Sequence, residues 1–195
     1  MNHFEVFGLP RRLHIDGAEL QRRFYELSRR YHPDFHHAAS PEAQAQALEA
    51  SARLNAAYRA LRDPIARVEY LVRLEEGRET REGATVKPQA PPELLAEMFE
   101  IQEALAEAKT GTLDDATRQT LREQRDRLRE RQAAEEARLV GPLSRAWDAG
   151  ETSERAAALR AFKESLATRA YLRTVIGDLD EALTDAMASE APPAR

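Results

Sequence analysis

Apolar positions recur at helical intervals along nearly the whole chain, and no stretch alternates strictly as a half-buried strand would. Leu20, Phe24, Leu27 and Tyr31 follow one another at spacings of four, three and four, which predicts a helix with one apolar stripe. Asp16-Gly17-Ala18-Glu19 opens that helix as a capping box, Asp16 accepting from an early amide while Glu19 reaches back. Its end is expected near Tyr31, because Pro33 disfavours helical backbone in the residue before it. Ser40-Pro41 supplies an N-cap and a first-turn proline for a second long helix running to about Arg62, with Leu54, Tyr58 and Leu61 on one face. Asp63-Pro64 then caps a shorter helix carrying Ile65, Val68, Leu71 and Val72. Two long helices packed antiparallel and closed by short flanking ones make a compact unit of roughly 75 residues.

Gly77, Gly83, Pro88, Pro91 and Pro92 interrupt the periodicity over residues 77–92, where a continuous helix is not expected. Three more helices are predicted at about 93–109, 113–139 and 153–188, separated by Thr110-Gly111 and by a Gly141–Gly150 segment containing Pro142. Three antiparallel helices with short connections form a small bundle. The middle one carries Leu121 and Leu128 a heptad apart among many arginines and glutamates, and reads as a solvated helix laced with ion pairs. Trp147 is expected in the core at the bundle end. The expected architecture is all-α: a first domain over 1–77, a linker over 78–92, a second helical domain over 93–188 and a disordered tail over 189–195.

Charge sharpens this division. Residues 1–78 carry 12 Lys+Arg against 11 Asp+Glu, or +1, and the remainder 17 against 23, or −6, so the negative charge of the chain resides in the second half. Such an acidic half is a poor match for nucleic acid. With no cysteine, disulfides, thiolate-bound zinc and thiol catalysis are all excluded, and a reducing cytoplasm is the expected location. No apolar run approaches bilayer length and no basic-then-apolar leader opens the chain, so no membrane partner is expected.

The candidate chemistry lies between the first two long helices, at Tyr31-His32-Pro33-Asp34. Proline fixes the turn, and the tip presents a ring donor at His32 and a carboxylate at Asp34. Taken alone, the triplet would serve equally as an ordinary turn, with Pro33 as helix stop and Asp34 as local cap. Its flanks point elsewhere: Phe4-Glu5-Val6-Phe7-Gly8-Leu9 opens the chain, and Leu54-Asn55-Ala56-Ala57-Tyr58-Arg59-Ala60-Leu61-Arg62-Asp63-Pro64 closes the second long helix. Together these segments resemble the J-domain family, whose hallmark is His-Pro-Asp between its helices II and III. The resemblance implies that His32, Pro33 and Asp34 dock on an ATP-dependent chaperone of DnaK or HscA type, Asp34 meeting an arginine there and promoting ATP hydrolysis. The chain itself would then be no enzyme and would need no cofactor. Arg22, Arg23, Arg29 and Arg30, set against Glu19 and Glu26, would steer an acidic chaperone surface to this site; the alternative is an ordinary solvated helix face. Phe35 departs from the basic residue common after the triplet, which suggests a specialised partner surface. His32, His36 and His37 stand close together, but only Asp34 joins them at ligand spacing, so titrating loop histidines rather than a metal are expected.

Neither a glycine/phenylalanine linker nor a cysteine-rich module follows, which sets aside the general-purpose DnaJ layout. Asp63-Pro64-Ile65-Ala66-Arg67-Val68-Glu69-Tyr70-Leu71-Val72-Arg73-Leu74 is similar to helix IV of the HscB family, where a short all-helical domain follows. In the helix expected at 93–109, Leu94, Met98, Ile101 and Leu105 fall in one arc and should face the bundle core. Leu95 and Phe99 project away from it, with Ala96, Glu100, Glu103 and Glu107 around the opposite side. An apolar pair beside carboxylates on a non-core face suits a partner; packing beneath the linker or against the first domain is the alternative. The HscB resemblance implies that this face, Leu95, Ala96, Phe99, Glu100, Glu103 and Glu107 with Tyr171 from the last helix, binds the iron–sulfur scaffold protein of IscU type. Ala96 departs from the larger apolar residue common there. A monomer is expected, and two other functions stay open: a J-domain protein serving another client, or a helical adaptor with a coincidental triplet.

Overall fold

A computed structural model of the chain describes residues 1–32, 40–77, 99–103, 106 and 114–189. Helix α1 spans His3–Val6, α2 Gly17–Tyr31, α3 Pro41–Arg62 and α4 Pro64–Glu75. Residues 99–103 are helical, then come α5 over Asp115–Arg138, a π-helical turn over Leu139–Leu143, α6 over Ser144–Ala149 and α7 over Thr152–Ser189. No strand occurs among the described residues, and no described helix is long and apolar enough to cross a membrane. The linker expected at 78–92 and residues 190–195 of the expected tail lie outside the described residues, while Ser189, expected in that tail, is the last residue of α7.

The predicted caps form, with one change. Asp16 accepts from the Ala18 and Glu19 amides at 2.8 and 3.2 Å, Ser40 caps α3 and Asp63 caps α4 at 2.7 Å. The expected return arm of the α2 capping box is not made: the Glu19 carboxylate turns outward to Arg22 and Arg23, whose charges compete for it. A complete box occurs instead at α1, where Asn2 and Glu5 satisfy each other's amides at 3.0 Å.

The chain divides into two compact units, Met1–Gly83 with Leu139–Phe162, and Ala84–Arg138 with Lys163–Arg195. Residues 139–162, expected within the second domain, therefore pack with the first. The separating segment expected over Gly141–Gly150 is instead helical as far as Ala149, with Pro142 inside the π turn and α6 following it.

In the first unit, α3 packs against α1, α2 and α4. Phe4, Leu20, Leu54, Leu61, Val68 and Leu71 form the buried centre, and each such side chain contributes about 1.5–3 kcal/mol by leaving water. Phe24 of α2 stacks on Tyr58 of α3 with centroids 4.1 Å apart. The α1–α2 connection is gripped from two sides. Buried Arg67 of α4 donates to the Leu61 carbonyl at 2.7 Å and the Leu13 carbonyl at 2.5 Å. Asp148 of α6 accepts from the Leu13 and His14 amides at 2.7 and 2.8 Å. Trp147, buried as expected, donates its indole N–H to the Arg11 carbonyl at 3.3 Å and carries the Arg155 guanidinium over its ring. Its partner thus comes from the N-terminal part of the chain rather than from the bundle.

In the second unit Ile101, Leu121, Leu128, Leu172, Val175, Ile176, Leu179 and Leu183 make one core. The ion pairs expected on the middle helix are present, and some cross to α7: Arg129 meets Asp180 at 2.9 Å, and Arg169 meets Glu136 at 2.7 Å. Leu121 and Leu128, few as they are, point inward and are fully buried.

Two outcomes are expected. Asp148→Ala removes two charge-assisted bonds to backbone amides and should destabilise the first unit by about 2–3 kcal/mol, read as a lower midpoint of thermal unfolding by the fluorescence of Trp147, the single tryptophan. His3, half-buried and stacked on Tyr70 at 4.2 Å, has its pKa lowered from 6.5, first by burial and then by the Arg73 charge. Above pH 6.5 the ring is neutral in both folded and unfolded chains. As pH falls from 6.5 towards the lowered folded value, only the unfolded chain takes up the proton, so stability is lost. The stability advantage of wild type over His3→Gln should therefore shrink below pH 6.5 in pH-dependent unfolding curves.

Candidate functional site

Helix α2 carries the first candidate face. Its apolar stripe turns inward, with Leu20 buried and Phe24, Leu27 and Tyr31 half-buried, which leaves the opposite side to solvent. His32 caps the helix in extended backbone, φ −66° and ψ 130°, as a residue preceding proline should, and it is exposed. Pro33, Asp34, Phe35, His36 and His37 lie outside the described residues. An exposed imidazole thus marks the end of α2.

The four arginines differ in what they do. Arg23 donates to the Phe7 carbonyl at 2.8 Å and meets Glu19 at 2.8 Å, so its guanidinium ties α2 to the segment after α1. Arg22 is exposed and bridges Glu19 and Glu26. Arg30 lies over the Tyr31 ring, 5.7 Å from its centroid. Arg29 is exposed and makes no ion pair or hydrogen bond among the described residues. Sequence spacing grouped all four as one basic face; contacts separate Arg23, which holds the fold, from Arg22, Arg29 and Arg30, whose charge reaches solvent. Sequence reasoning also passed over Tyr25, 57% exposed on this helix. Its position opposite the Leu20 stripe was the available signal.

The second face lies on residues 99–103. Ile101 is fully buried in the second unit's core, as its place in the predicted arc requires. Phe99, two residues and about 200° away round the helix, is 83% exposed. Glu100 and Glu103 are exposed beside it, Glu103 one turn on from Phe99. Leu94, Leu95, Ala96, Met98, Leu105 and Glu107 lie outside the described residues. Tyr171 packs half-buried against the core that Ile101 enters, and burial raises its phenol pKa above 10.0. The structure thus places Tyr171 at the edge of the core and Phe99 with its two acids in solvent. A solvated phenylalanine ring costs folding nothing to remove and gains nothing locally, so this arrangement suits contact with another macromolecule.

No group of three or more histidine, aspartate or glutamate side chains among the described residues could hold a metal ion. Both faces are exposed helix surfaces, chemically suited to protein partners: one basic with an imidazole at its end, the other an aromatic ring beside two carboxylates.

Comparison with known proteins agrees with this geometry. Residues 2–70 match the DnaJ domain. The co-chaperone protein HscB homolog of Vibrio vulnificus (strain YJ016) is 41% identical over 113 residues, which are 57% of this chain and 64% of the relative. The chain thus spans a little under two thirds of that relative's length. The homolog of Aliivibrio salmonicida (strain LFI1238) is 32% identical over 135 residues, 69% of this chain and 77% of the relative. Among solved structures, the chaperone HscB from Vibrio cholerae matches with a TM-score of 0.54 at 26% identity, covering 92% of this chain and 99% of that one. Human co-chaperone protein HscB shares the fold, with a TM-score of 0.61 at 24% identity over 92% of this chain and 81% of that one. An N-terminal DnaJ domain, a helical remainder and homology reaching across three quarters of a relative together place the chain in the HscB family of co-chaperones.

Proposed function

We propose that this protein stimulates ATP hydrolysis by a chaperone of DnaK or HscA type and delivers to it an iron–sulfur scaffold protein of IscU type, in iron–sulfur cluster assembly or transfer. The observation that carries the reading is exposed His32 at the end of α2, inside a matched DnaJ domain and beside the solvated charges of Arg22, Arg29 and Arg30. His32, Pro33 and Asp34 form the docking element, and the three arginines raise the encounter rate with an acidic chaperone surface. ATP is bound and cleaved by the chaperone; this chain contributes contacts, not catalytic groups.

Scaffold binding is assigned to the Phe99 face. Phe99, with Leu95 and the smaller Ala96, supplies the apolar centre, and Glu100, Glu103 and Glu107 form the rim; Tyr171 borders it from α7. Exposed Phe99 supports this assignment, because an aromatic ring held in water beside two carboxylates serves the chain's own core in no way. Acidic rims of this kind select partners carrying lysine or arginine around an apolar spot. The protein works as a soluble monomer in the cytoplasm.

His32→Gln should return the chaperone's steady-state ATPase to its unstimulated rate while the far-ultraviolet circular dichroism stays that of wild type. Phe99→Ala should weaken scaffold binding about tenfold, the ordinary loss for a truncated aromatic anchor, as measured by titration calorimetry, and leave stimulation by the scaffold-free protein unchanged. Stimulation that persists in His32→Gln would contradict the docking assignment; unchanged scaffold affinity in Phe99→Ala would contradict the client assignment.

A further inference from the structure

Arg22, Tyr25, Arg29 and His32 follow one another on α2 at spacings of three, four and three. At about 100° per residue they fall within roughly 80° of one another, centred opposite the buried stripe that begins at Leu20. Tyr25 sits in the middle of this row and is 57% exposed. Nothing in the fold asks for an aromatic ring there. Beneath it the core is already closed by Leu20 and by Phe24 stacked on Tyr58. Tyrosine is also a poorer helix former than the arginine or glutamine that an exposed helix position favours.

The ring has a firm base nonetheless. It leans on Phe24 with centroids 5.7 Å apart and planes at 55°, and Phe24 is fixed in turn by Tyr58 at 4.1 Å. An exposed aromatic with two rotatable side-chain bonds, seated on a packed neighbour, loses little freedom when a partner covers it. Flanking it are Arg22 and Arg29, the latter with no ion pair among the described residues. Tyrosine and arginine are the residue types that concentrate binding energy at protein interfaces.

We propose that Tyr25 is the central anchor of the chaperone-docking surface, inserting between acidic groups of the chaperone that Arg22 and Arg29 engage on either side. The proposal rests on the co-chaperone reading above and adds to it a specificity-determining residue. Continuity identifies the occupant: the row ends at His32, the C-cap of α2, which the co-chaperone reading assigns to the docking element. Charge agrees at the Arg29 end: Arg22 is shared between Glu19 and Glu26, whereas Arg29 makes no ion pair among the described residues and presents its full charge to an acidic partner. On this account, chaperones with an apolar or hydrogen-bonding spot between two acids are preferred over those presenting a uniformly charged patch.

The test uses the full chain, a purified HscA-type chaperone and saturating ATP, titrating wild type, Tyr25→Ala, Tyr25→Phe and His32→Gln. Tyr25→Ala should raise the half-saturating concentration for ATPase stimulation about tenfold, with the maximal rate close to wild type, whereas His32→Gln loses the maximal rate itself. Tyr25→Phe should recover most of the lost affinity, because the ring supplies the contact. Unfolding midpoints read from Trp147 fluorescence should be unchanged in both Tyr25 variants; if Tyr25→Ala proves less stable, the Tyr25→Phe titration and a Tyr25→Gln variant decide instead. Stimulation by wild type that depends on His32 but has the same half-saturation in Tyr25→Ala and Tyr25→Gln overturns the anchor while the co-chaperone reading stands. Wild type that neither stimulates nor binds the chaperone overturns both. A Tyr25→Ala effect confined to self-association in sedimentation velocity makes the row a contact between copies and overturns the proposal as well.

Discussion

The first unit depends on how the short connection between α1 and α2 is held. Leu13 and His14 have backbone groups that no helix satisfies, and such groups must find partners when buried. Arg67 supplies donors from α4, and Asp148 supplies acceptors from α6. Taking a guanidinium out of water is unfavourable, and burial lowers the Arg67 pKa, while the charges of Asp63 and Asp148 work in the other direction. The carbonyls of Leu61 and Leu13 offset that cost by direct hydrogen bonds. Because α2 starts at Gly17, directly after this connection, the grip on Leu13–His14 also fixes where α2 begins and so which of its sides meets solvent.

That placement divides the labour among similar side chains. Two arginines adjacent in sequence, Arg22 and Arg23, lie about 100° apart round the helix. One reaches back to the Phe7 carbonyl and is spent on the fold; the other stays in solvent. The same split occurs on the second unit, where Ile101 enters the core and Phe99 faces water. In both places a helix gives one side to the interior and the other to solvent, so the exposed side chains can change with little effect on stability.

Much of this was legible in the sequence because helical periodicity and caps are local. The Leu20–Tyr31 stripe, the Ser40-Pro41 and Asp63-Pro64 starts, and the inward turn of Ile101 all follow from spacing and side-chain chemistry within one or two turns. What escaped depends on contacts between residues far apart in the chain. Asp148 reaches residues some 135 positions earlier, and nothing local to Trp147-Asp148 announces that partner. Arg67 looks like any charged helix residue until the carbonyls it serves are located. Glu19 illustrates competition: its spacing from Asp16 predicts a capping box, but two arginines one turn on attract the same carboxylate more strongly. Tyr25 was readable from its angle on the α2 wheel, on the side that the Leu20 stripe leaves to solvent. The HscB resemblance, carried by motifs in the first 74 residues, was the part of the function that sequence alone could reach.

The central claim is that α2 with its turn and the Phe99 helix are separate partner faces on one chain. Hydrogen exchange of the full chain, measured alone, with an HscA-type chaperone and ATP, and with an IscU-type scaffold, tests it directly. The account predicts slowed exchange over residues 17–34 with the chaperone alone and over 93–109 with the scaffold alone, each leaving the other segment unchanged. Protection of the same segment by both partners, or of neither segment by its assigned partner, would contradict it.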